Sequence, residues 1–399
     1  MNQKQAERNL KLFYVFEAFR EPLFWGAILI TYIMKVSGMS LADIFFMESV
    51  CVFVMIFMEI PSGALADILG RKKTIIWGLI CELGCLILFA LANSPWDIWV
   101  ANIICFAGVA FVHGADTSLL YDTLKFLGRE SRDFKVIKGR AASGLLLICA
   151  LSNLATGYLA EVNLRLPMYL AIGFFLISLV TSFFFTEPPL GNTEKFELKK
   201  HWQLMKLSVF FVANHKKVKW LIAFTVLIGT ASKIWFFTYN PYFELVNIPL
   251  RYFGWIFFLM GIIAAASSFW ANWLSKKIGD LGSIIAIICL IALPILAMGS
   301  YVAQAMVLLV LIQNVVRGYL VPFTDHILHD YLDSQNRATV FSIQSSMRGI
   351  SDAIFLFGFA ALLKMVSLPI GLQILGVTTL AIGILLIVKY QHIFASQKI

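Results

Sequence analysis

Apolar runs of roughly twenty residues recur from one end of this chain to the other, each stopped by a short polar connection. Inside hydrocarbon a backbone must satisfy its own N–H and C=O groups, which a helix does internally, and about 20 residues carry a helix across a core ~30 Å thick. On that rule about twelve spans are expected. Their limits are 12–34, 43–66, 73–92, 97–122, 138–160, 166–186, 218–241, 252–275, 281–300, 303–328, 338–363 and 368–390. The expected fold class is all-α: a polytopic membrane protein of about 12 transmembrane helices. With 60% hydrophobic residues in 399, the composition fits that class and no soluble one.

Charge placement sets the orientation. The chain carries 32 Lys and Arg against 23 Asp and Glu, a net +9. These cations sit mainly in the short connections, which makes them a topology signal and not a nucleic-acid footprint. With both termini in the cytoplasm, roughly 24 of the 32 fall inside and about four (Lys35, Arg165, Arg251, Lys364) outside. Arg20, Lys233, Arg317 and Arg348 fall within spans.

The first apolar run carries Glu17, Arg20 and Glu21, which a cleaved leader does not tolerate, so it is read as the first span. All six cysteines lie inside apolar runs and are read as packing residues, with no disulfide or metal role. From Glu187 to Lys219 the chain is too polar to enter a bilayer, and its LKKHWQLMKLSVFFVANHKK stretch reads as one surface helix. Six spans precede this connection and six follow. The expected organisation is an N-terminal bundle over 1–187, a cytoplasmic linker over 188–217 and a C-terminal bundle over 218–399. An internal repeat supports the division: Leu274, Lys277 and Gly279 fall on Leu65, Ile68 and Gly70 with one constant offset.

The connection between the second and third spans reads EIPSGALADILGRKKTI, from Glu59 to Ile75. Gly63, Leu65, Asp67, Gly70, Arg71, Lys72 and Lys73 stand there at a spacing that resembles the turn between helices 2 and 3 of the major facilitator superfamily of secondary transporters. The usual basic residue after the Asp is Ile68 here. The resemblance implies two pseudo-symmetric six-helix bundles in a bacterial cytoplasmic (inner) membrane, acting as a monomer without cofactor or metal. It also implies that Asp67 faces the start of helix 11 and holds an inner gate shut, with Gly63, Gly70 and Arg71 as parts of that gate; for the basic residues a purely topological role stands beside it. The HGADTSLLYDTLKFLGRE stretch ending the fourth span resembles one found in a bacterial branch of the superfamily. Asp122 within it is expected to bind the basic stretch at Arg129, Arg132 and Arg140, in a gating or packing role.

Charges within the bilayer are costly, ~2.5–3.5 kcal/mol each at mid-depth, so they should face a cavity or a partner. Glu17, Arg20 and Glu21 share one helix face; His113 and Asp116 are three apart; Arg348 and Asp352 are four apart. Lys233 and the Gln313, Asn314, Arg317 group have no acid nearby in sequence. Arg20 pairing with Glu17 or Glu21, and Arg348 with Asp352, is the plain alternative to a ligand role.

The resemblance adds that helices 1, 4, 7 and 10 line a central cavity. On that footing Arg20, Lys233, Arg317, Arg348, Gln313 and Asn314 are the candidate substrate-binding residues, and Glu17, Glu21, His113 and Asp116 the candidate proton carriers. Arg recognises carboxylates and phosphates through its planar fork. The expected function is proton-coupled transport of a small anionic, carboxylate-rich solute such as an organic acid or a citrate-type siderophore.

The alternative is a drug/proton antiporter exporting hydrophobic or cationic compounds, whose patterns are incomplete here: Ile104 stands where an Arg would precede Gly108, and the fifth span has Gly144 and Gly157 without a Pro. A non-transporting receptor or scaffold is the third reading. No nucleotide-binding Gly-Lys-Ser/Thr loop and no nucleophile with an evident base are present, so no enzyme is expected. His326 and His329 in DHILHD have a spacing open to metal, with an exposed helix end as the ordinary reading. Glu48 and Glu82 lie within spans without an assignable role.

Overall fold

A computed structural model describes the backbone of residues 1–189, 215–331 and 334–395, and within these all side chains except those of 59–67, 131, 325–326, 328–331, 334–342 and 395. Among the described residues every regular element is helical. They are α1 (Gln3–Phe19), α2 (Leu29–Ser37), α3 (Leu41–Leu69), α4 (Arg71–Leu91), α5 (Pro95–Val112), α6 (Ala115–Phe126), α7 (Glu130–Val162) and α8 (Leu166–Phe183). Then come α9 (Lys216–Leu245), α10 (Leu250–Ser300), a short 3-10 turn (Gln304–Leu308), α11 (Leu309–Tyr331), α12 (Ser334–Leu363) and α13 (Leu368–Ala395). The surface helix expected around Trp202 and the DHILHD side chains of Asp325, His326, His329 and Asp330 lie outside the described residues.

Ten stretches of the described residues are long and apolar enough to cross a membrane. Two differences separate that number from the expected spans, and both have a physical cause. The first expected span is broken: α1 stops at Phe19 and α2 starts at Leu29. Pro22 has no N–H to donate and its ring clashes with a preceding helical turn; Phe24 then takes φ 64°. The freed Phe24 N–H donates to Ser152 Oγ on α7 at 3.4 Å. Conversely, the spans expected at 252–275 and 281–300 run together in α10, divided by Gly279 at φ 69°, ψ 176°. The fourth span is also broken, between Val112 and Ala115, where Gly114 has φ 91°.

Gly70, which starts α4, has φ 96° and ψ 152°. Gly279, its partner in the repeat, adopts nearly the same left-handed backbone. Such a backbone strains any residue with a Cβ, so the two turns share a conformation as well as a spacing.

The chain forms two compact units: Met1–Ser40 with Val50–Phe196 and Leu250–Phe258, and Leu41–Ser49 with Glu197–Pro249 and Leu259–Ile399. In the first, Leu10, Phe13 and Phe16 of α1 pack with Leu79 of α4, Leu119 of α6 and Phe175 of α8. α4 and α5 cross closely, since a Cβ on Gly108 would lie 2.8 Å from the Gly78 carbonyl oxygen. Ser94 and Asp97 close a reciprocal cap on α5, with Pro95 in its first turn. The start of α10 belongs here too: Arg251 N–H donates to Glu161 Oε1 at 3.1 Å and Trp255 Nε1 to Tyr158 Oη at 3.0 Å.

In the second unit α9 is the central helix, with α12 and α13 both packed on it. Trp235, Tyr239, Tyr242 and Phe243 on α9 are fully buried. Trp220 Nε1 donates to the Leu386 carbonyl at 2.7 Å, tying α9 to α13. The start of α3 belongs to this unit: Phe45 packs on Phe237 and Phe359, and Ser49 Oγ donates to the Ala353 carbonyl at 2.7 Å.

Candidate functional site

The two helix breaks of the first unit meet around one guanidinium. Arg20 caps the C-terminus of α1, and Asp116 sits in the first turn of α6, where a helix N-terminus favours negative charge. Arg20 Nη1 donates to Asp116 Oδ2 at 2.9 Å. Arg20 Nε lies 3.6 Å from Glu17 Oε2, and Nη2 3.9 Å from Glu21 Oε1. The other Asp116 oxygen accepts from the Thr117 N–H and hydroxyl. Lys138 of α7 donates to Thr117 Oγ1 and stands 4.0 Å from Asp116 Oδ2. Glu82, on the side of α4 that faces Gly108, interacts electrostatically with Arg20. Glu17, Asp116 and Glu82 are only 4%, 2% and 6% exposed.

Four carboxylates thus share two cations, Arg20 and Lys138. Fully ionised, the group would hold two uncompensated negative charges, with Glu17, Glu82 and Asp116 buried and Glu21 exposed. Pairing of Arg20 with Glu17 and Glu21 was legible from helical spacing; the stronger bond to Asp116 was not. Glu82, which the sequence left without a role, joins this group. His113 is exposed at the α5–α6 break, its N–H bonded to the Val109 carbonyl.

The second unit carries Lys233, Arg317 and Arg348 together with Asp352 and, on α3 and α9, Glu48 and Glu244. Asp352 accepts from Thr230 Oγ1 at 2.7 Å and lies 3.6 Å from Lys233 Nζ. Lys233 therefore has an acidic partner, contrary to the reading from sequence neighbours, because the packing of α9 on α12 joins residues far apart in the chain. Arg348, for which pairing with Asp352 was the plain alternative to a ligand role, lies along Gly229, where a Cβ would come within 2.9 Å of its Nε. Arg317 is exposed on α11 and interacts electrostatically with the buried Tyr239. Among the described residues no acid lies within ion-pair distance of Arg317 or Arg348. Gln313 Nε2 donates to the Ser232 carbonyl and Asn314 Nδ2 to the Val310 carbonyl, each at 3.0 Å. Asn314 Oδ1 and Trp235 Nε1 are buried without a partner among the described residues, an acceptor and a donor still to be satisfied.

At the end of the first unit that carries Gly70, Arg71 Nε lies 3.6 Å from Asp122 Oδ2. Asp122 was expected to meet Arg129, Arg132 and Arg140. Instead Arg129 bonds Asp133 at 2.6 Å and Glu7 at 2.8 Å, and Arg132 faces Asp133 at 3.7 Å. Glu187, unnoticed in the sequence, places its carboxylate on the N-terminus of α4: Arg71 N–H donates to Oε1 at 2.6 Å and Lys72 N–H to Oε2 at 2.9 Å. Gly63 and Asp67, expected in the gate, lie outside the described side chains. Among the described residues no cluster of three or more His, Cys, Asp or Glu could hold a metal.

A family model described as Major Facilitator Superfamily matches residues 12–356. The chain is 22% identical over 370 residues to the uncharacterized MFS-type transporter YxaM of Bacillus subtilis (strain 168), covering 86% of this chain and 87% of that one. It is 26% identical over 140 residues to multidrug resistance protein 2 of the same organism, a match to 35% of this chain that spans only 34% of that protein's length. Among solved structures, the nucleoside transporter NupG has a TM-score of 0.75 at 14% identity, with 99% of each chain covered. A POT family transporter in complex with 5-aminolevulinic acid has a TM-score of 0.75 at 14% identity, with 97% of each covered. At such identity these likenesses concern the fold alone.

Proposed function

The chain belongs to the major facilitator superfamily and is a multi-pass membrane transporter of a small molecule, not an enzyme; on that premise we propose that it couples proton movement to transport of an anionic, carboxylate-bearing solute. The observation that carries this reading is the contrast between an acid-rich group in the first unit and, among the described residues, unpaired arginines in the second. Glu17, Glu21, Glu82 and Asp116 outnumber Arg20 and Lys138 in the first. In the second, Arg317 and Arg348 have no acid within ion-pair distance among the described residues, while Lys233 faces Asp352. The first group takes up and releases protons; the second grips the solute, with Gln313 and Asn314 beside it.

Mechanistically, the bundles over 1–187 and 218–399 rock about the bound solute, exposing it to one side and then the other. Proton and solute drive the exchange because each binds one state better than the other. A proton on Glu17 or Asp116 loosens that acid's hold on Arg20, which joins the ends of the two broken helices. Asp67, with Gly63, Gly70, Arg71 and Asp122, forms the gate at the cytoplasmic face of the inner membrane, both termini lie on that side, and a monomer suffices.

Reconstituted protein should bind or exchange members of a panel of mono-, di- and tricarboxylates in counterflow. Exchange of cationic drugs with no carboxylate exchanged would reject the anionic reading. It would favour the second one, export of hydrophobic or cationic compounds, which the multidrug resistance relative supports.

A further inference from the structure

Helices α12 and α13 both pack on α9 yet scarcely touch one another. Between them a wedge opens over α9, a cavity of about 1350 Å³ lying wholly within the second unit. It exceeds the ~300–1,000 Å³ of pockets for drug-sized ligands. Along α9 it runs from Lys216 to Ile234, a length of about 27 Å at 1.5 Å per residue and close to the thickness of a bilayer core. Its walls are aliphatic and aromatic, as at Leu227, Ile354, Phe359, Ile382 and Leu386.

The hydroxyls on those walls are already engaged. Thr230 bonds Asp352, Ser351 lies 3.4 Å from Thr230 Oγ1, and Thr378 and Thr379 bond carbonyls of their own helix. A polar solute would find little to bind there. One end differs: Lys216, Lys219 and Lys389 gather where α9 begins and α13 ends, all three exposed. Among the described residues none of them is ion-paired.

We propose that this wedge is a binding site for one anionic membrane phospholipid, with acyl chain along the α9 groove and phosphate headgroup among Lys216, Lys219 and Lys389. The charge pattern selects the occupant. An apolar trench suits any lipid chain, but three lysines at a single end favour a net negative headgroup over a zwitterionic one. The wedge adjoins the Asp352 group through Thr230, but no charged residue assigned to proton or solute lines it, and its test reads bound lipid rather than solute.

Two variants probe the two parts of the site. Removing charge with K216Q/K219Q/K389Q leaves the groove intact. Gly358→Phe sets a ring into the groove, at a position where a Cβ meets nothing within 4 Å. Native mass spectrometry of the purified full chain, titrated with dioleoyl phosphatidylglycerol or dioleoyl phosphatidylcholine, reads occupancy; thermal unfolding checks that each variant is folded. The expected result is one tightly held phosphatidylglycerol, preferred over phosphatidylcholine by roughly tenfold or more. The lysine variant should lose the preference, and Gly358→Phe should lose the bound lipid. Equal retention of the two lipids by the wild type would overturn the proposal. So would a folded Gly358→Phe protein that holds phosphatidylglycerol as the wild type does, since the lipid would then lie on the surface and not in the groove.

Discussion

Arg20 and Asp116 join two interrupted helices through a 2.9 Å ion pair, although they lie 96 residues apart in the chain. Each residue stands at a helix end that an unbroken span would not offer. In membrane transporters, irregular backbone is tolerated where it is buried in protein or lines a cavity, and here the two breaks carry the charged group of the first unit.

Removing Arg20 should cost more than removing its partner. Arg20→Ala leaves Glu17, Glu21 and Asp116 together without the guanidinium, whereas Asp116→Asn leaves Arg20 beside Glu17 and Glu21. The expected losses are about 3 kcal/mol for the first and about 1 kcal/mol for the second. The double variant should recover part of the Arg20→Ala loss. Thermal unfolding in detergent gives the ordering, and a larger loss for Asp116→Asn would contradict it.

The three cations of the second unit should differ in their weight. Lys233 shares its charge with Asp352, while Arg317 has no such acid among the described residues. Arg317→Ala should therefore weaken binding of an anionic solute about tenfold or more, and Lys233→Ala less, since a charge-assisted bond contributes about 1.5–3 kcal/mol. Asp352→Asn should tighten binding by freeing Lys233. Equilibrium binding of a responsive carboxylate measures all three.

Gly229 gives Arg348 its place. A valine there puts its Cβ 2.9 Å from the Arg348 Nε, and the flexible side chain must move away. Gly229→Val should cost about 1–3 kcal/mol of stability, leave the protein folded, and reduce solute affinity as Arg348→Ala does. Affinity equal to wild type would remove Arg348 from the solute site.

The carboxylate of Glu187 caps α4 through two backbone N–H groups. Glu187→Ala should destabilise the first unit by about 1–2 kcal/mol, the range for a lost charged cap. Hydrogen exchange at the Arg71 and Lys72 amides should rise with it; unchanged protection there would show that another group holds the helix end.

What could be read in the sequence follows from range. The spans were legible because each is a local stretch of sufficient length and apolarity, and the Gly70 and Gly279 turns because their spacing repeats. Glu17 and Arg20 were legible as neighbours from their spacing, but the helix face expected to include Glu21 stops at Phe19. The breaks were harder: Pro22 and Gly114 are single residues inside windows whose average remains apolar. The pairings Arg20–Asp116, Lys233–Asp352 and Arg71–Asp122 depend on helix packing, which no spacing encodes. Glu82 shows the same limit: which way its helix face turns is decided by the close crossing of α4 on α5 at Gly78 and Gly108.

Solute-driven proton movement in proteoliposomes tests the central claim most directly. With a pH-sensitive dye inside vesicles, adding a transported carboxylate should shift the internal pH for wild-type protein. The shift should be lost in Glu17→Gln and Asp116→Asn, while both variants still bind the solute. Solute flux in the wild type that ignores an imposed pH gradient and moves no protons would contradict the account.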